Sequence, residues 1–73
     1  MQVKTFFFKK DDPASLEDFE AALKKFLEGL KQRAESERKI VQPFIFQIAS
    51  CGDFVYDILI YDLVDIPGRI AKV

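Results

Sequence analysis

The side chains able to do chemistry are few, and their spacing excludes most of it. Cys51 is the only thiol, and the chain has no histidine. A lone cysteine beside Gly52, with no imidazole and no strongly basic neighbour, has nothing to activate it as a nucleophile. Asp53, Asp57, Asp62 and Asp65 fall close together, but their spacing matches no calcium-binding loop. Strand alternation also sends Asp57 and Asp62 to opposite faces, so no metal is expected there. There is no glycine-rich phosphate loop, no nucleophile with a base nearby in sequence, and little volume for a pocket. The chain reads as a non-enzymatic protein with no cofactor, no metal and no small-molecule substrate.

The basic residues carry a second reading. Lys31, Arg33, Arg38 and Lys39 gather after a stretch of helical period, and a nucleic-acid-binding regulator would use such a group. Glu35 and Glu37 interrupt it, and Asp11 and Asp12 follow the Lys9-Lys10 pair. Eleven basic against twelve acidic residues leave a net charge of −1, which gives no general attraction to nucleic acid or an anionic membrane. A solvated face with cations near a helix end accounts for the group more simply. Nucleic acid is therefore the alternative partner. Phe6, Phe7 and Phe8 form no stacking platform, because alternation buries at least one of them.

The elements that position these residues are set by periodicity. The segment 53–64, DFVYDILIYDLV, is nearly continuous in β-branched and aromatic residues. It reads as a strand covered on both faces, at the middle of a sheet. Gln2 to Phe8 is a first strand. Asp12-Pro13 and Ser15 give helix-start chemistry, with Ser15 and Asp18 as an imperfect capping box and Glu17, Asp18 and Glu20 in the first turns. Leu16, Phe19, Leu23, Phe26, Leu27, Leu30 and Ala34 then draw one apolar stripe down a helix. Gly29 offers an early stop, but Leu30 and Ala34 continue the stripe to about Ala34. A solvated connection over 34–39 leads to a second strand, Ile40 to Ala49, in which Pro43 favours a sheet edge. The turn falls at Ser50-Cys51-Gly52-Asp53.

This pattern predicts an α+β fold of β-α-β-β type over residues 1–66. It is a three-stranded mixed sheet in spatial order 2-3-1, with a right-handed crossover and one helix packed on one face. Residues 67–73 are either a tail or a short fourth strand at an edge. Register decides which side chains share a face. An odd-length turn pairs even positions with even ones and gathers Phe44, Phe46, Ile48, Tyr56, Ile58 and Ile60 under the helix. Val41, Ile45, Gln47, Val55, Asp57, Leu59, Tyr61 and Leu63 then form the far face. A two-residue turn would mix the sets and bury Asp57 near the helix, a costly place for a lone carboxylate. The odd turn is the expectation.

That far face is the main functional candidate. One helix cannot cover both sides of a sheet, and a large contiguous apolar patch marks an interaction site unless residues 66–73 fold across it. The expected partner-binding residues are Ile45, Val55, Asp57, Leu59, Tyr61 and Leu63. A chain of 73 residues buries only about 60% of its unfolded surface. With neither a disulfide nor a metal available within one chain, association is the common remaining source of stability. A homodimer or another protein is thus the expected partner. The N-terminal MQVKTFFFKKDD lacks the features of a secretion signal, and no stretch approaches a membrane span, so the expected location is cytoplasmic.

Gln2-Val3-Lys4, Leu16-Glu17, Phe26-Leu27, Ile40-Val41 and Ile58-Leu59-Ile60-Tyr61 together resemble a family of short firmicute sporulation-associated proteins. The resemblance spans Gln2 to Tyr61 and rests on apolar positions. It implies strand, helix, strand, strand and a bacterial or phage cytoplasmic protein, with no catalytic or binding residues to carry over. The connection after the helix and the tail after Tyr61 depart from the family.

Overall fold

A computed structural model of the chain describes residues 1–66. The alternatives for 67–73, and the fold-back of 66–73 over the sheet, fall outside the described residues. The elements are β1 (Gln2–Lys9), α1 (Pro13–Glu37), β2 (Lys39–Cys51) and β3 (Phe54–Asp65).

Asp12 sets the start of α1. Its backbone is extended, with φ −128° and ψ 95°, and its carboxylate accepts the Ser15 N–H at 3.2 Å. Pro13 comes next, at the first helical position, where its missing N–H has no intrahelical partner to lose. Ser15 is therefore inside the helix, and its Oγ accepts the Lys9 N–H at 2.9 Å, tying the helix start to the end of β1. This corrects the expected Ser15–Asp18 capping box, and no acidic residue occupies the first turn. Gly29 does not end the helix. Arg38 does, in the left-handed conformation (φ 56°, ψ 50°), with its N–H directed to the Ala34 and Glu35 carbonyls. The connection expected over 34–39 is thus reduced to Arg38 alone.

The strand order is β1-β3-β2, as the sequence pattern predicts. Both neighbouring pairs are antiparallel. The sheet is therefore antiparallel throughout rather than mixed: β1 and β2 run the same way but are separated by β3. Between Val41 and Phe44 the register shifts, so that Gln42 and Pro43 together oppose Asp62. This bulge accommodates Pro43, which cannot donate to a ladder, on the edge strand. Cys51 pairs with Phe54 across a two-residue turn, Gly52-Asp53, and Gly52 has φ 58°. A primed hairpin turn requires positive φ there, which glycine supplies without steric cost.

The helix crosses the sheet diagonally. Its first half lies over β1, where Phe19 meets Phe8 (ring centroids 4.9 Å apart) and Phe26 meets Phe6 (5.5 Å). Its second half reaches the start of β2: Leu30 joins Leu59 and Tyr61 in the core, with Phe26, Leu27, Val41 and Leu63 packed around them. Only Phe6, Leu30, Ala34, Leu59 and Tyr61 are buried among the described residues. The Cα radius of gyration is 15.6 Å, with extents of 54 × 19 × 12 Å. A compact chain of this length would have a radius of about 11 Å. The described residues form a thin two-layer slab, and among them nothing covers one face of the sheet.

Candidate functional site

The turn fixes which residues lie on that face. With Cys51 opposite Phe54, even positions of β2 pair with odd positions of β3: Phe44 with Tyr61, Phe46 with Leu59, Ile48 with Asp57. Directly opposed residues share a face. Leu59 is wholly buried and Tyr61 is 6% exposed, so the odd positions of β3 face the helix. The placement of Val55, Asp57, Leu59, Tyr61 and Leu63 on the far face is corrected, and so is that of Tyr56, Ile58 and Ile60 beneath the helix. Val41 also moves to the helix side, because the bulge reverses the alternation of β2 at Gln42-Pro43. Of the expected partner-binding set, only Ile45 lies on the open face.

The cost of burying Asp57 pointed to the other register. It does not arise, because the helix veers away from this part of the sheet. Asp57 is half-buried between Phe6 and Ile48, and Ile48 is 77% exposed.

The open face is built from Val3, Thr5, Phe7 and Lys9 of β1, then Phe54, Tyr56, Ile58, Ile60, Asp62 and Val64 of β3. From β2 come Ile40, before the bulge, and Ile45, Gln47, Ala49 and Cys51 after it. Phe7, Phe54 and Tyr56 form an aromatic cluster toward the hairpin turn. Phe7 lies 6.0 Å from Phe54 and 5.9 Å from Tyr56 between ring centroids. Val3 is 64% exposed and Phe7 58%. No described element lies over this surface. Its charges are confined to the ends, with Lys9 near the turn and Asp62 at the opposite end. Asp62 accepts the Leu63 N–H at 2.9 Å and lies 3.4 Å from the Met1 ammonium. The Leu63 N–H, ahead of the ammonium and Lys39, holds its carboxyl below the usual aspartate range against an opposing desolvation. Sequence reasoning missed Val3, Phe7, Phe54, Tyr56, Ile58 and Ile60 as members of this face. The signal that could have found them is the Gly52-Asp53 pair, a two-residue turn sequence.

The basic residues do not converge. Lys31 and Lys39 border a groove between the helix and β2, lined also by Leu27, Leu30, Glu35 and Phe44. Arg33 borders the opposite groove, with Lys4, Lys25, Phe26 and Gly29, and its Nε donates to Glu37 at 2.9 Å. Arg38 serves as the helix C-cap. The expected nucleic-acid group is therefore divided between two sides of α1. Lys4 sits over the Phe6 and Phe26 rings at 5.7 and 5.8 Å, where a cation–π attraction accounts for its place on the helix side. No cluster of metal-ligating side chains occurs among the described residues, and Cys51 is a free, exposed thiol. No protein-family model, curated protein or solved structure matches the chain.

Proposed function

We propose that the chain is a small non-enzymatic protein-interaction module that self-associates by packing its open sheet face against that of a second copy. The observation that carries this reading is the contiguous apolar surface of Val3, Phe7, Ile45, Tyr56, Ile58 and Ile60 on a two-layer slab. Surfaces of this kind mark interaction sites, and aromatic residues such as Phe7, Phe54 and Tyr56 supply the anchors that dominate interface energies. Charge placement favours a second copy as the partner. Stacked faces with antiparallel strands set the Lys9 end of each copy over the Asp62 end of the other, and the centre carries no charge to repel its counterpart.

Light scattering and sedimentation test the reading. The wild type is expected to be associated, not monomeric, at high micromolar concentration. Ile58→Asp places a carboxylate at the centre of the face and is expected to give a smaller assembly than the wild type while keeping its far-UV circular dichroism. A wild type that stays monomeric, or an Ile58→Asp variant that associates as the wild type does, would refute it.

A further inference from the structure

A second surface is distinct from the open face: the outer edge of β2, with which no described strand pairs. All eight residues from Phe44 to Cys51 are exposed, and none is charged. Phe44, Phe46 and Ile48 point to the helix side, Ile45 and Ala49 to the other. Apolar side chains on both faces are the mark of an interior strand, yet this strand lies at the margin of the sheet. Natural edges are protected by charge, proline or a bulge. The other margin, β1, carries Lys4 and Lys9. On β2 the bulge and Pro43 protect only the beginning, and the segment from Phe44 to Cys51 has no such guard.

The backbone is set for pairing. The two-residue turn makes Cys51–Phe54 the hydrogen-bonded closing pair, and alternation from there turns the N–H and C=O of Phe44, Phe46, Ile48 and Ser50 outward. The Lys10 N–H bond to the Asp53 carbonyl, 2.7 Å long on the β1 side of β3, agrees with this alternation.

We infer that β2 pairs antiparallel with β2 of a second copy, joining two three-stranded sheets into one continuous sheet. A two-fold axis normal to the sheet pairs only positions of like parity, so both helices lie on the same side. The register that uses the whole unprotected segment places Gln47 opposite its own counterpart. Phe46 then opposes Ile48, and Phe44 opposes Ser50. These last are hydrogen-bonded pairs built from the outward groups, about eight backbone bonds in all. Facing amides of Gln47 meet on the axis, and no like charges oppose each other. The assembly closes after two copies at this edge, because the margins left outside are the lysine-bearing β1 strands.

Cross-linking tests the edge separately from the face. In a Cys51→Ser background, Gln47→Cys places two thiols in a non-hydrogen-bonded pair, with Cβ atoms about 4.5–5.5 Å apart. Mild oxidation is expected to give a disulfide-linked dimer. Ile48→Pro removes an outward N–H that β3 does not use, so it should abolish that cross-link while leaving the fold intact. Ile58→Asp should leave the cross-link in place even if it breaks face packing. In the unmodified chain, hydrogen exchange at the Phe46 and Ile48 amides is expected to slow as concentration rises. Cross-linking that survives Ile48→Pro, or exchange at these amides that is fast at every concentration, would overturn the inference.

Discussion

Gly29 and Gly52 have equally open surroundings and opposite reasons to be glycine. A Cβ built at either position meets no atom within 4 Å. Gly29 lies inside α1 with ordinary helical geometry, where glycine costs roughly 0.5–1 kcal/mol relative to alanine through the freedom of the unfolded chain. Gly29→Ala is expected to raise stability by about that amount. Gly52 has φ 58°, and an L-side chain there loses about 1–2 kcal/mol to its own carbonyl. Gly52→Ala is expected to lower stability by that amount, because contact relief cannot offset the backbone term. Chemical denaturation of the two variants beside the wild type checks both signs. Equal shifts in the same direction would show that neither backbone effect operates.

Each element was legible to the extent that its pattern had one solution. The helix stripe admits a single face, so Phe19, Leu23, Phe26, Leu27, Leu30 and Ala34 could be named as inward, while Leu16 at the helix start is exposed. Pro43 could be placed at an edge. Central placement of β3 rested on the same reasoning. Its register did not, for a physical reason. Val55, Leu59, Tyr61 and Leu63 make one apolar face, and Tyr56, Ile58 and Ile60 make another, so hydrophobicity fits either pairing equally well. Asp57 pointed the wrong way, because a straight helix over the sheet centre would bury it and a diagonal one does not. The tie was broken by the Gly52-Asp53 turn alone. Leu59, wholly removed from solvent, makes the sharpest check on β3. Leu59→Ala is expected to cost about 2–5 kcal/mol, in the range for large-to-small changes in a core. Leu59→Asp should unfold the monomer, since a lone buried carboxylate has no partner there. The contrast with Ile58→Asp, one residue away and on the opposite face, is the test: loss of circular dichroism signal in one and retention in the other. The reverse outcome would restore the odd-turn register.

For the whole molecule, thinness joins stability to association. Five buried side chains among the described residues are a small core for a chain of 73 residues, and neither a disulfide nor a histidine metal site can reinforce it. Proteins of this size have little stability to lose. Val3, Phe7, Phe44, Phe46 and Ile48 remain exposed in the single chain, and each side chain of this size moved fully out of water contributes about 1.5–3 kcal/mol. They are already partly covered in the single chain, and Phe44, Phe46 and Ile48 lie on the helix side. Association therefore covers a part of this area and contributes a few kcal/mol, a sizeable share of the stability of one chain. Mass action then makes folding depend on concentration. For a dimer, each tenfold rise in protein concentration adds about 1.4 kcal/mol per dimer to the unfolding free energy. The urea midpoint of the wild type is expected to climb steadily between about 5 and 500 μM on this linkage. Combining Ile58→Asp with Ile48→Pro, which blocks face and edge together, should give a lower midpoint that no longer moves with concentration. A wild-type midpoint constant over that range would mean that the slab holds itself together as a single chain, and neither surface would then be needed to complete the fold.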